Sequence, residues 1–208
     1  MKDIRICFVG DSFVNGTGDS MLLGWTGRVC QFVGQQFVGQ QGISLTYYNL
    51  GIRRETSADI GLRWQFEVLA RLPDACDGRV VFSFGANDTT WEQGRVRVPI
   101  PDSLRYAGMM LLVAKRRYSV LMVSPPPLAN AEQNQRTAEL VQAQQQMCKG
   151  FEIPYLDVFT PLHKSPIWMR EVRSRDGAHP DAAGYCELAQ LVLNWPSWTT
   201  WFADRFSP

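Results

Sequence analysis

Ser12, His179 and Asp176 are the three group types that serine-dependent hydrolysis requires, and they sit in two short strings near opposite ends of the 208-residue chain. A serine hydroxyl is a poor nucleophile at neutral pH; it needs a base within hydrogen-bond reach, and the base needs a third group to fix its tautomer. Ser12 ends the string Gly10-Asp11-Ser12, directly after an apolar stretch, and His179 ends Asp176-Gly177-Ala178-His179, directly before Pro180. Only two histidines are present, His163 and His179, and only the second follows an aspartate by three residues. Taken singly, Ser12 also fits a turn or cap residue and Asp176 a turn residue before Gly177. The chemistry therefore depends on elements that bring the strings together.

Short β-rich runs alternate with longer stretches of helical period, a pattern that predicts parallel strands joined by helical crossovers. The strands are expected at Ile4 to Val9, Ser44 to Asn49, Arg79 to Phe84, Val120 to Val123 and Pro154 to Val158. Trp25, Val29, Phe32, Val33 and Phe37 recur at helical spacing, as do Ile60, Trp64 and Val68, each set predicting one buried helix face. A further helix runs from a cap at Asp102 to about Arg117, with the basic Lys115-Arg116-Arg117 cluster at its C-terminus. The glutamine-rich stretch from Ala131 to Lys149 predicts a helix with Leu140, Val141 and Cys148 inward and a solvated glutamine surface. The last crossover helix begins near Pro180 and Asp181 and turns Tyr185, Leu188, Ala189 and Val192 to the core. Beyond it, Trp195, Trp198, Trp201, Phe202 and Phe206 share one helical face, expected to pack on the domain, with a dimer contact or a lipid-facing surface as alternatives. No repeat, linker or composition break divides the chain, so residues 1–208 are expected to form a single domain.

On this scheme Gly10-Asp11-Ser12 follows the first strand, Gly51 the second and Asn87 the third, while His179 lies in the loop entering the last crossover helix. Open parallel sheets gather ligand sites at the carboxyl ends of their strands, near the point where strand order reverses. Residues distant in sequence would meet there.

Four blocks in fixed order, Gly10-Asp11-Ser12, Asn49-Leu50-Gly51, Gly85-Ala86-Asn87-Asp88 and Asp176-Gly177-Ala178-His179-Pro180, resemble those of the SGNH (GDSL-type) esterase/lipase superfamily across almost the whole chain. Phe13 stands where that family's name has leucine, one apolar residue for another. The resemblance implies an α/β fold: a flavodoxin-like three-layer α/β/α sandwich with a five-stranded parallel sheet. It implies a serine esterase hydrolysing carboxylic esters through a Ser-His-Asp triad and an acyl-enzyme, with Ser12 as nucleophile, His179 as base and Asp176 orienting it. It further implies an oxyanion hole made by the backbone N–H groups of Ser12 and Gly51 and the side chain of Asn87, and no metal or organic cofactor. Gly51 and Asn87 also fit simple turn residues, and Asp11 and Asp88 read as structural. A carbohydrate O-acetyl esterase, a thioesterase, a lysophospholipase and a catalytically silent binding module on the same scaffold remain open, because one triad serves many substrates. A base with an ordinary histidine pKa of roughly 6.5 makes activity fall as the imidazole protonates.

Composition narrows the partners. A formal net charge of +1 and a pI near 7.6 leave no general attraction to nucleic acid or anionic membrane. The five scattered cysteines, Cys7, Cys30, Cys76, Cys148 and Cys186, form no CxxC pair, which points to reduced thiols and neither a zinc site nor a disulfide framework. No apolar run reaches the roughly 18 residues of a spanning helix, and no secretion signal is evident at the start, so a cytoplasmic protein acting on a small-molecule ester is expected. Whether it forms a homo-oligomer stays open. Arg53, Trp91 and Arg95, with Arg54 and Arg97, flank the proposed oxyanion residues and are candidates for binding substrate, an anionic one included; surface arginines are also often merely solvated or loosely paired.

Overall fold

A computed structural model describes residues 2–37 and 42–203. Seven strands are present among them: β1 (Lys2–Gly10), β2 (Ile43–Gly51), β3 (Asp77–Ser83), β4 (Trp91–Glu92), β5 (Arg95–Val96), β6 (Ser119–Val123) and β7 (Tyr155–Leu156). The helices are α1 (Ser12–Asn15), α2 (Gly24–Phe37), α3 (Ser57–Arg71), α4 (Ile100–Lys115), α5 (Ala131–Gly150), α6 (Phe159–Lys164), α7 (Pro166–Ser174), α8 (Ala182–Leu193) and α9 (Pro196–Ala203). Five strands make one parallel sheet in the order β2-β1-β3-β6-β7. Its central strands are apolar on both faces, as strands covered by helices on each side must be. On one face Phe8, Val81, Leu121 and Val123 pack against α2, α8 and α9; on the other Cys7, Val9, Val80 and Phe82 pack against α3, α4 and α5. The expected three-layer α/β fold is what the chain adopts.

Several local expectations shift. The fifth strand pairs only through Tyr155 and Leu156, because it lies at the sheet edge, Pro154 offers no N–H, and the chain turns into α6 at Phe159. Helix α4 opens at Ile100 with proline in its first turn and no side-chain cap; Asp102 lies inside that turn, where its charge still favours the helix N-terminus. Trp25, Val29 and Val33 are buried as predicted, but Phe32 is 46% exposed, and the side chains of Phe37 and Phe206 lie outside the described residues. Within Thr89 to Pro101, β4 and β5 pair as a small antiparallel hairpin, and α4 begins at Ile100. In α5, Gln133 and Gln144 are buried while Gln135, Gln142, Gln145 and Gln146 are exposed. Trp198 and Phe202 of the aromatic C-terminal helix are buried on the sheet, and the Arg79 guanidinium lies 5.5 Å from the Trp201 ring and 5.2 Å from the Phe202 ring. No helix among the described residues is long and apolar enough to cross a membrane.

Candidate active site

Strand order reverses beside β1, since β2 lies on one side of it and β3 on the other, so the chain leaves the carboxyl ends of β1 and β3 in diverging directions and opens a crevice there. Ser12 stands at the end of β1 as the first residue of α1, whose N-cap Asp11 accepts a hydrogen bond from Phe13 N at 3.0 Å. Gly10 allows β1 and β3 to close up here: a Cβ at this position would lie 2.0 Å from the Ser83 carbonyl oxygen.

The loop between α7 and α8 brings His179 to the same place. Asp176 Oδ1 accepts the backbone N–H groups of Ala178 (3.0 Å) and His179 (2.8 Å), which folds the loop around the carboxylate. Its Oδ2 lies 2.6 Å from His179 Nδ1, and His179 Nε2 lies 2.8 Å from Ser12 Oγ. A carboxylate beside Nδ1 keeps the proton on that nitrogen and leaves Nε2 as the acceptor facing the hydroxyl. The imidazole is 9% exposed, with its centroid 5.1 Å from that of Phe13. Burial alone raises the Asp176 carboxyl, but the bonds from the His179 N–H, the His179 ring and the Ala178 N–H outweigh it and hold the group at about 2. It is ionised at neutral pH.

Asn87 follows β3 and reaches the crevice. Its Nδ2 donates to the Glu55 carbonyl at 2.9 Å and to Asp11 Oδ2 at 3.5 Å, the outer limit of a bond and the weaker of the two. Asp88 beside it is fully buried and ties three segments together, accepting Ser57 N at 2.8 Å and Ser103 Oγ at 2.5 Å. Asp11 is also buried, and burial pushes its carboxyl up to about 7 against the lowering effect of the Phe13 N–H.

Gly51 lies at the end of β2. Its N–H donates to Asn49 Oδ1 at 3.0 Å, and a Cβ on it would lie 2.2 Å from Asn15 N and 2.7 Å from the Asp11 carbonyl oxygen. Its glycine character serves close packing of β2 on α1. Asn49 completes that clamp, donating to the Val14 carbonyl at 2.7 Å and to Thr26 Oγ1 at 3.0 Å. Arg53 and Arg54 of this loop line the crevice, Arg54 in the left-handed region at φ 67°. The carbonyl of Arg54 accepts from Arg97 Nη1 at 2.8 Å, the side chain pairs with Glu92 at 3.1 Å, and the N–H has no partner among the described residues.

The crevice encloses about 460 Å³ between Ser12, Asn87, Asp176 and His179 on one side and Arg53, Arg54, Glu92, Arg97, Asn130 and Gln133 on the other. Of the residues expected to hold substrate, Arg53 lines it. Trp91 and Arg95 do not: Trp91 is 60% exposed on β4 with the Arg136 guanidinium 5.8 Å from its ring, and Arg95 is exposed on β5. In the β4–β5 register Trp91 shares a face with its partner Val96, and Arg95 with Glu92. Gln133 escaped the sequence reading because its helix is glutamine-rich throughout; its position one turn into α5 lets Nε2 reach the Ala86 carbonyl (2.8 Å) and Thr90 Oγ1 (3.0 Å). Leu128 and Asn130 enter through the proline-rich loop that Asn134 clips from both sides, accepting Leu128 N at 2.8 Å and donating to Leu128 O at 2.7 Å.

Residues 8–186 match the model of the GDSL-like lipase/acylhydrolase family. The fold is similar to that of a lipase/acylhydrolase from Enterococcus faecalis, with 23% identity, a TM-score of 0.73, and 93% of this chain and 94% of that one covered. It is also similar to that of an acetylxylan esterase from Geobacillus stearothermophilus, at 18% identity and a TM-score of 0.70 over 91% of this chain and 92% of the other. At these identities the likeness is one of fold. No curated protein matches the sequence.

Proposed function

The chain belongs to the GDSL-like lipase/acylhydrolase family, and on that premise we propose that it is a serine esterase that cleaves carboxylic esters through an acyl-enzyme on Ser12. The observation that carries this reading is the unbroken contact from Ser12 Oγ to His179 Nε2 (2.8 Å) and from Nδ1 to Asp176 Oδ2 (2.6 Å), at the wall of a crevice large enough for a small ester. His179 takes the serine proton as Oγ attacks the ester carbonyl, and Asp176 stabilises the imidazolium so formed. The same proton then passes to the leaving alkoxide as the ester C–O bond breaks. Water attacks the acyl-serine in the second half, activated by the same Nε2, and releases the acid.

The oxygen that becomes negative in each tetrahedral intermediate is held by the Ser12 N–H, which the short helix α1 does not need for its own bonding, and by Asn87 Nδ2. The donor from the β2–α3 loop is the Arg54 N–H in place of that of Gly51, because the Gly51 N–H is already given to Asn49. The crevice walls favour a short acyl group on a polar alcohol: Arg53, Arg97, Asn130 and Gln133 outnumber the large apolar side chains Phe13 and Leu128. An O-acetyl ester of a carbohydrate, the class of substrate named for the Geobacillus relative, fits that polarity.

Hydrolysis of p-nitrophenyl esters from acetate to long acyl chains, by wild type and Ser12→Ala in parallel, tests the proposal. Activity on the short esters that disappears in the variant is expected. Equal activity in the variant removes Ser12 as nucleophile, and an optimum at long chains removes the short-acyl reading.

A further inference from the structure

One flank of the molecule carries an apolar surface that the chemistry at the strand ends does not use. Helix α3 buries Ile60, Trp64 and Val68 against the sheet, yet its opposite face is also apolar: Leu62 is 81% exposed and Phe66 79%, with Leu69 on the same side one turn further. These follow the i, i+4, i+7 spacing of a single stripe. Helix α4 lies alongside, Tyr106 reaching toward Gly61 of α3, and it repeats the pattern. Its inward face is Ala107, Met110, Leu111 and Ala114, while Met109 (61% exposed), Leu112 and Val113 face out. A surface helix of a monomer normally turns charged or polar residues to water. Two adjacent helices breaking that rule on the same side is a built feature of the surface.

We propose that this α3–α4 face is the contact surface of a symmetric dimer, its occupant a second copy of the chain. Taking the whole surface of a large apolar side chain as ~200 Å², the exposed fractions of the six leave on the order of 600 Å² of apolar surface, at the upper end for a monomer's largest patch. A stable interface takes about 800 Å² from each partner with a polar rim around an apolar centre, which this patch and its margins match. The charges at its margin favour a like copy over an anionic lipid surface. Arg63 pairs with Glu67 at 2.8 Å, Arg71 with the same Glu67 at 3.7 Å, and Arg105 with Asp102 at 3.0 Å, so these cations are already matched within their own helices. Two such faces meet about a two-fold axis without like-charge repulsion, each stripe against its symmetry mate. The crevice opens at the carboxyl ends of the strands and stays outside the contact, so the dimer stands or falls independently of the role given to Ser12.

Sedimentation velocity on the full chain tests the proposal. Wild type at micromolar concentration is expected at twice the 23.6 kDa chain mass. The Leu62→Glu/Phe66→Glu double variant on α3, and separately Met109→Glu on α4, are expected to sediment as monomers, with association weakened at least ~100-fold. All three positions face water in the single chain, so the thermal melts of the variants at low concentration should follow a monomeric baseline; if the double variant misfolds, Met109→Glu decides. A wild type that stays at 23.6 kDa overturns the proposal, as does a dimer that survives both variants. A monomer that instead floats with neutral phosphatidylcholine vesicles overturns it in favour of a lipid surface.

Discussion

The Asn87 amide nitrogen lies 2.9 Å from the carbonyl oxygen of Glu55, which joins the side chain at the end of β3 to the backbone that follows Arg54 after β2. Two loops more than thirty residues apart are thereby locked into one surface facing Ser12.

On the proposed mechanism, Asn87→Ala removes a donor to the developing oxyanion. Turnover on a short ester is expected to fall about 10²- to 10³-fold with KM changed far less, because the bond strengthens only in the transition state. Steady-state kinetics separate the two; a loss confined to KM would assign Asn87 to substrate binding.

Arg54→Gly keeps the backbone N–H and suits the left-handed conformation at φ 67° better than arginine does. Its pair with Glu92 is exposed at 75% and 46%, so losing it costs little, and kcat should stay within about threefold of wild type. A hundredfold fall would give the guanidinium itself a part in the reaction. Gly51→Ala behaves oppositely: with a Cβ 2.2 Å from Asn15 N, α1 and Ser12 must shift, and both stability and turnover are expected to drop.

Asn134→Ala leaves the Leu128 N–H and C=O without partners in a buried loop. Each stranded group costs ~1–3 kcal/mol, so urea unfolding should show a loss of about 2–6 kcal/mol. A loss within experimental error would mean the loop is held by its prolines alone.

Asp11 gives the fold a pH dependence. Unfolded, its carboxyl ionises near the ordinary 3.8; folded, burial keeps its proton up to about 7. The protonated group's contribution is whole below pH ~4 and is lost as pH rises through 7, where a charge must be held in the interior. Asp11→Asn keeps an oxygen for the Phe13 N–H and removes the titration. The melting temperature of the variant should therefore gain on wild type between pH 5 and pH 8, and parallel curves would show that Asp11 is ionised throughout.

How much of this was legible beforehand follows the range over which each property is decided. The apolar runs at Ile4 to Val9 and Arg79 to Phe84 mark strands because burial on both faces leaves a continuous local signature, and Ile60, Trp64 and Val68 mark a helix face for the same reason. The run Pro154 to Val158 predicts a longer strand than the Tyr155–Leu156 pairing, since an edge position is a property of the sheet and not of the segment. Nothing within α5 distinguishes Gln133 from the solvated Gln135; only the Ala86 carbonyl across the crevice does.

By itself the sequence determined the alternation of strands and helices and the identity of the three groups in contact, Ser12, His179 and Asp176. Periodicity is written along the chain, and with two histidines present the choice of base was narrow. Only the tertiary structure decided that the Gly51 N–H is given to Asn49, that Arg53 and Arg54 line the crevice and Trp91 and Arg95 do not, and that Leu62, Phe66 and Met109 are left exposed. Those facts depend on strand order and helix adjacency, which bring together residues whose spacing along the chain carries no trace of their meeting.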